Sequence, residues 1–384
     1  MIQRLEGVVM MLGVEKRLWR PAFLLGVLAV FLCAPVVYAQ SVKDLPPPPP
    51  LWKAKPTPTP TPPEKEVIDV IRTTSNLVMV PVSVTDRDGQ AVQGLTKTDF
   101  NLIEEGKRQE ISDIGDPEQV PLAIALLFDI SSSVSQKGFF AFQQQAAAAF
   151  LKQVMKPADQ AAIFTIASQP TMVQPLASAE VATAKMLTIP PATTSVATAF
   201  YDTVTAAATY LETAPSQYRR VIVVITDGDD NNSKRIVSVS PNEAKASQDG
   251  QLSPAALRVG LQSRHQIAIG EVKQAAQKAD AIFYSVNPGG PSVRMNQISM
   301  RAETGMEAIA EATGGTAFIP DGEKDLERVF RQVAAELRGQ YLLQYYGDSE
   351  SPATQFRHIQ VSVPSRPDVR VRARQGYYPK KQQD

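Results

Sequence analysis

The pattern of hydrophobic and polar positions divides the chain into regions that predict different structures. Two runs without a charged residue, at 121–128 and 221–225, predict strands buried on both faces. From position 124 to 337, strands of this kind alternate with helical patterns, which is typical of βαβ units on a parallel sheet. We therefore predict an α/β domain with a doubly wound, mainly parallel sheet over residues 120–338.

The segments that flank this domain show the alternating pattern of half-buried strands. They span residues 76–115 before it and 339–378 after it. Neither segment has enough strands to bury its own apolar face. We therefore predict that the two pack together as a smaller all-β domain, with the α/β domain inserted between them.

The beginning of the chain has the pattern of an export signal. Basic residues precede the apolar run 21–37, and Ala39 ends a small-x-small cleavage site, so residues 1–39 are predicted to be a signal peptide. An uncleaved N-terminal anchor is the alternative. Residues 40–75 form a proline-rich linker, and 379–384 a short tail. The predicted location is exported, namely periplasmic, secreted or cell-surface.

Three polar regions allow more than one interpretation. The stretch 231–270 is predicted as a long loop that contacts a partner or acts as a lid, with disorder as the alternative. The oxygen-rich residues 229–232 favour a solvated loop over a second cation site, for which Ca²⁺ would be the candidate. Arg370, Arg372 and Arg374 alternate on one strand face, which indicates a solvated face more readily than a ligand-binding patch.

Composition excludes several classes of function. The 39 Lys and Arg balance the 39 Asp and Glu, so no global field favours nucleic acid. Cys33 is the only cysteine, which rules out an intramolecular disulfide and a cysteine-based metal site. His265 and His358 are the only histidines and lie far apart in the sequence, so zinc chemistry and histidine-dependent triads are not expected.

The candidate chemistry lies where the two apolar strands end. Asp129, Ser131 and Ser133 follow the first strand, and Asp227 follows the second. Thr198 opens a predicted helix on the same edge of the sheet. Oxygen ligands of this kind suit a hard cation such as Mg²⁺. Taken singly, each residue could instead be an ordinary strand-end cap, turn former or helix N-cap.

Taken together, these motifs resemble the metal-ion-dependent adhesion site of von Willebrand factor A domains. The motifs are Asp-x-Ser-x-Ser at 129–133, the Thr198 segment and Thr226-Asp227-Gly228, in the family's order and spacing. Further motifs resemble a group of exported bacterial proteins typified by Acidobacteria. They are the segments 80–86, 94–100, 312–315, 340–346 and 372–378, so the resemblance covers about residues 76–378.

The sequence departs from the family's pattern in two places. Ser132 stands where a glycine is common in the first loop. Val196 and Ala197 stand where glycines are common just before the threonine. The ligand-bearing residue types are kept at every position of the motif.

The resemblance implies a function as well as a ligand set. It implies that Asp129, Ser131, Ser133, Thr198 and Asp227 hold Mg²⁺, or Mn²⁺ or Ca²⁺, some of them through water. It also implies that an Asp or Glu of a protein partner completes the shell, in an adhesion or envelope interaction without nucleic acid. We expect a binding protein and not an enzyme. The alternatives are an envelope scaffold with a vestigial site and, less favoured, a metal-dependent hydrolase.

Overall fold

A computed structural model describes residues 76–132, 140–239, 241–250, 253–290, 297–347, 352 and 354–379. The predicted signal peptide at 1–39, the linker at 40–75 and most of the tail lie outside the described residues. Residues 71–384 form one compact unit, which holds all of the structure considered below.

The first described segment consists of strands separated by tight turns. They are β1 (Asn76–Thr85), β2 (Asn101–Glu104), β3 (Lys107–Gln109) and β4 (Ile111–Gly115), with a 3₁₀ turn at Lys97–Asp99.

Strands and helices then alternate through the middle of the chain. In order they are β5 (Leu122–Asp129), α1 (Phe140–Val154), β6 (Gln160–Ile166), β7 (Thr171–Ala177), α2 (Ala179–Met186), α3 (Phe200–Leu211), β8 (Arg219–Ile225), α4 (Lys234–Val237), α5 (Pro241–Gln248), α6 (Pro254–Lys278), β9 (Ala281–Val286), α7 (Gln297–Thr313), β10 (Ala317–Phe318) and α8 (Glu323–Gly339). The chain returns to strands at β11 (Tyr341–Gly347), β12 (Arg357–Ser362), β13 (Arg370–Ala373) and β14 (Gly376–Tyr377).

The middle segment forms a six-stranded sheet in the order β10-β9-β8-β5-β6-β7. All neighbouring pairs are parallel except β6 and β7, which makes β7 an antiparallel edge strand. Every residue of β5 and of β8 is buried, because helices cover both faces of the sheet. The predicted doubly wound, mainly parallel α/β domain is confirmed.

Successive side chains of β5 point into two different cores. Leu126 and Phe128 pack with α1, α2 and α8 on one face of the sheet. Ala125 and Leu127 pack with α3, α6 and α7 on the other face. The small alanines leave room for α3 to lie close to the strand whose end carries Asp129.

The flanking segments form two four-stranded sheets, in the orders β13-β1-β11-β4 and β14-β12-β2-β3. Each sheet mixes strands from both ends of the chain, since β1 pairs with β11 and β2 pairs with β12. Val80, Leu102 and Leu343 are among the residues that close a common core. The prediction of an all-β domain built from flanking segments is therefore confirmed.

The all-β domain packs against the amino-terminal edge of the parallel sheet. Arg219, which begins β8, donates through Nη1 to the Leu337 carbonyl and to Gln340 Oε1, both at 3.0 Å. Gln340 in turn donates to Ser83 of β1 at 3.2 Å. A continuous set of hydrogen bonds thus joins the two domains at this edge.

Two of the alternating arginines take part in the same junction. Arg372 Nη2 lies 2.8 Å from Glu336 Oε1. Arg374 is 8% exposed, pairs with Asp280 and donates to the Met79 carbonyl at 2.8 Å. The prediction of a solvated arginine face is therefore wrong for these two residues, although Arg370 is exposed.

The prediction of a long loop at 231–270 is also wrong. Most of this stretch is helical, in α4, α5 and the first seventeen residues of the 25-residue α6. The later part of α6 contributes Ala268, Ile269 and Val272 to the core. Shortening this region would therefore remove core packing. A loss of partner binding in a shortened variant would not by itself show that the region contacts the partner.

Candidate metal centre

The predicted site lies where β5 and β8, neighbours at the middle of the sheet, reach their carboxyl ends. The register pairs Phe128 with Ile225, so Asp129 and Thr226 leave the sheet side by side. From β5 the chain continues to β6 on one side, whereas from β8 it continues to β9 on the other. Open α/β sheets bind ligands at such a change of direction, because the two loops diverge and leave a crevice.

Asp129 is fully buried and closely surrounded by donors. Its Oδ1 accepts from the Ser131 amide at 2.7 Å, and its Oδ2 accepts from Thr226 Oγ1 at 2.6 Å. Thr226 Oγ1 also accepts from the Gly228 amide at 3.0 Å, and a φ of +75° at Gly228 allows this turn. The carboxylate is thereby fixed in orientation.

The charge around Asp129 is of one sign. Burial, and then the nearby carboxylate of Asp227, raise the pKa of Asp129 to about 6, against the lowering effect of hydrogen bonds from Ser131 and Thr226. Burial and Asp227 also raise the pKa of Asp229, which has Arg301 at 3.7 Å. Crowded carboxylates of this kind are costly unless a cation neutralises them.

Thr198 lies two residues before α3, so it is not the helix N-cap that the sequence suggested. Its side chain is buried, and its backbone is held by the loop that follows Asp227. The Thr198 amide donates to Asn231 Oδ1 at 2.9 Å, and the Thr198 carbonyl accepts from the Asn231 and Asn232 amides at 3.1 and 3.0 Å. The structure thus ties the predicted threonine to the Asp227 loop.

Asp230 corrects the interpretation of 229–232 as a solvated loop. It is 2% exposed, and its Oδ2 accepts from the Tyr201 amide at 2.8 Å and from Ser233 Oγ at 2.6 Å. Burial raises its pKa, and hydrogen bonds from Ser233, Tyr201 and Asn232 counteract this. Asp230 therefore fastens the start of α3 to the metal-facing loop, a role that sequence reasoning missed.

A cavity of about 420 Å³ opens beside these residues. Its lining consists of Ser132, Ser195, Val196, Ala197, Thr198, Asp229 and Asn231. The first loop, the Thr198 segment and the loop after Asp227 therefore share one concave surface, which is large enough for a partner side chain to enter.

The donor set fits a small hard cation. The structure brings Asp129, Ser131 and Asp227 together and ties Thr198 to the same loops, whereas Ser133 lies outside the described residues. Within the described residues, no three His, Cys, Asp or Glu side chains cluster as a metal site. Hydroxyl and carboxylate oxygens, as on the residues brought together here, are the ligands that Mg²⁺ and Mn²⁺ prefer.

Comparison with known proteins identifies the domain. The von Willebrand factor type A domain family matches residues 124–229, which include Asp129, Thr198 and Asp227. No curated protein matches the chain. The chain thus carries a von Willebrand factor type A domain, whereas the narrower resemblance to the exported Acidobacteria-type group stays a prediction.

Several solved structures are similar to the chain. A von Willebrand factor type A protein from Catenulispora acidiphila is 13% identical, with a TM-score of 0.40 over 70% of this chain and 51% of that one. The PilB minor pilin from Streptococcus sanguinis is 13% identical, with a TM-score of 0.42 over 58% of this chain and 62% of that one. Proximal thread matrix protein 1 from the mussel byssus, with a zinc-occupied MIDAS motif, is 16% identical, with a TM-score of 0.38 over 60% and 48%. The chain spans about half the length of the Catenulispora and mussel proteins.

Proposed function

We propose that this chain is an exported binding protein that holds a divalent cation at the carboxyl edge of its sheet and engages an acidic residue of a protein partner. The observation that carries the proposal is the buried carboxylate of Asp129 beside that of Asp227, among hydroxyl donors. The proposed ion is Mg²⁺ or Mn²⁺, with Ca²⁺ as a further candidate, held by Asp129, Ser131, Ser133, Thr198 and Asp227.

The character of the partner follows from charge. Two carboxylates balance a divalent ion formally, but hydroxyl and water ligands leave it a strong acceptor for a further anionic oxygen. An Asp or Glu from a partner supplies that oxygen in a charge-assisted contact. The cavity beside Thr198 and Asn231 gives the side chain a path to the site.

Binding is preferred over catalysis because the central carboxylates, Asp129 and Asp227, are the proposed metal ligands and no histidine lines the cavity. His265 is 1% exposed, its Nδ1 lies 3.1 Å from the hydroxyl of Tyr201, and burial lowers its pKa to about 4. His358 belongs to β12 in the all-β domain. Neither histidine lines the cavity, so a hydrolase would lack a histidine base at this site.

Export rests on the sequence of residues 1–39 and on the proline-rich spacer that follows. In the part of the chain that the structure describes, no helix is both long and apolar enough to cross a membrane. We propose that the folded unit acts outside the cytoplasm, attached through the spacer or released from it.

Titration calorimetry on the purified protein tests the metal. We expect one Mg²⁺ or Mn²⁺ to bind to wild type, and Asp129→Ala with Asp227→Ala to abolish binding. Glu110→Ala with Glu307→Ala is the matched control, because it removes two exposed carboxylates elsewhere. Unchanged metal binding in the Asp129/Asp227 double variant would overturn the assignment.

Capture from envelope extract tests the use of the site. Metal-dependent capture that fails in Asp129→Ala is expected. Capture that persists in EDTA and in Asp129→Ala would support the scaffold alternative instead. Turnover of a panel of hydrolase substrates by wild type, lost in the same variant, would support an enzyme.

A further inference from the structure

The two places where the sequence departs from the usual adhesion-site pattern contact each other. Ser132 lies between the two serines of the first loop, and Val196 lies two residues before Thr198. Ser132 Oγ accepts from the Val196 amide at 2.6 Å, and the Ser132 amide donates to the Val196 carbonyl at 3.3 Å. The side chain and the backbone of Ser132 thus both bind the backbone of Val196.

The Ser132–Val196 contact completes the support of the threonine segment. Beyond it, the Ala199 amide donates to the Ala167 carbonyl at 2.8 Å, next to the end of β6. Asn231, in the loop after β8, binds both backbone groups of Thr198. Segment 196–199 is therefore attached to the loops that follow three neighbouring strands, and Ser132 supplies the attachment to the β5 loop.

A hydroxyl at position 132 has a specific consequence for the cation site. A glycine there would leave the Val196 amide without this acceptor and would give the first loop more conformational freedom in the absence of a ligand. With serine, a side-chain hydrogen bond adds to the backbone bond between the two loops before any ion arrives. Joining them in advance lowers the ordering cost of binding.

We propose that Ser132 is a positioning residue, which fixes Thr198 relative to Asp129 through the backbone of Val196 and is not itself a ligand. This inference rests on the proposed function, because it concerns the affinity of the same site for a divalent ion. Ser132 thus holds the loop in place before an ion binds. With flexible glycines, the ion would have to order the loop on binding.

The first test needs no metal. Amide hydrogen exchange is measured in EDTA on the full chain for wild type, Ser132→Ala, Ser132→Gly, Ser132→Thr and Ser216→Ala. We expect the Val196 amide to exchange about tenfold faster in the alanine and glycine variants, since its acceptor is removed. The threonine variant keeps the hydroxyl and should stay close to wild type. Ser216→Ala is the control, because it removes an exposed serine hydroxyl before β8, at the opposite edge of the sheet.

The second test measures Mg²⁺ affinity of the same variants by calorimetry. We expect about fivefold to tenfold weaker binding in Ser132→Ala and Ser132→Gly, and affinity near that of wild type in Ser132→Thr and Ser216→Ala. Unchanged Val196 exchange in Ser132→Ala, or faster exchange with unchanged affinity, would overturn the positioning role while leaving the metal site intact. A wild-type protein that binds no divalent ion would overturn the proposed function as well.

Discussion

The two edges of the parallel sheet both bury charged side chains, but they treat charge in opposite ways. At the amino edge several buried charges face an opposite one, as in Glu336 with Arg372 and Asp280 with Arg374. At the carboxyl edge Asp129 has a second carboxylate, Asp227, as the charge that raises its pKa. Paired charges fix a junction, whereas like charges cost stability that a bound cation can restore.

This difference separates structural polar clusters from a binding site within one domain. Changes at the amino edge should lower the free energy of unfolding, whether or not metal is present. Changes at the carboxyl edge should abolish metal binding and leave the metal-free protein as stable as before, or more so. Four predictions test the contrast, from the largest expected effect to the smallest.

Gly314→Ala should have the largest effect of the changes tested at the amino edge. Gly314 has a φ of +82°, and an added Cβ would lie 2.7 Å from the carbonyl carbon of Ala373 and from the amide nitrogen of Arg374. We expect the free energy of unfolding in urea to fall by about 3–4 kcal/mol, since backbone strain and overpacking add. Gly94→Ala is the control, because Gly94 has a φ of +84° but an added Cβ there would have no neighbour within 4 Å. We expect this variant to lose about 1 kcal/mol in the free energy of unfolding. Equal losses would show that close packing at Gly314 is unimportant.

Glu336→Ala tests the paired charges. Glu336 is 4% exposed, so its removal leaves the guanidinium of Arg372 buried without its carboxylate. We expect a loss of about 3 kcal/mol in the free energy of unfolding. Glu336→Leu with Arg372→Met should recover most of that loss, because no charge is then left unpaired. A double variant as unstable as the sum of its single changes would argue against a coupled pair.

Local sequence signals predicted the carboxyl edge better than its surroundings. Asp129 and Asp227 each end an apolar run, so the position of both carboxylates follows from the strand pattern alone. The role of Asn231 could not be predicted in this way, because it depends on a backbone contact with Thr198, 33 positions away. Ser133 lies outside the described residues, so its role as a ligand stays a prediction.

The predictions for helix α6 and for the arginine strand were wrong for different reasons. The first half of α6 is largely exposed, and its buried residues begin at His265, so its apolar positions are too sparse to show a helical period. In β13 and the residue after it, arginines at every second position look the same whether their face meets water or another domain. Only the approach of α8 and of Asp280 makes that face an interface.

At the carboxyl edge, Asp129→Asn should change the free energy of unfolding in the opposite direction, so that the metal-free protein becomes more stable. In EDTA it removes a buried charge whose pKa is raised, so we expect the free energy of unfolding to rise by about 2 kcal/mol while Mg²⁺ binding is lost. Asp159→Asn is the matched change at the amino edge. Asp159 accepts from the Leu122 and Lys156 amides, both at 2.7 Å, and pairs with Arg338. Replacing Asp159 should lower the free energy of unfolding. Stability changes of the same sign in both variants would refute the contrast.

The smallest expected effect is the pH dependence of the contribution that Asp129 makes to the free energy of unfolding. The pKa of Asp129 is about 6 in the folded protein and 3.8 for an ordinary aspartate, so folded protein takes up this proton before unfolded protein as pH falls. Metal-free wild type should therefore gain stability relative to Asp129→Asn between pH 7 and pH 5, by about 1 kcal/mol, and the remaining difference should disappear only below the ordinary pKa of 3.8, at about pH 3. Urea unfolding of both proteins in EDTA at several pH values measures it. A difference that stays constant from pH 7 to pH 4 would mean that Asp129 carries no repulsive charge, and the carboxyl edge would then resemble the amino edge.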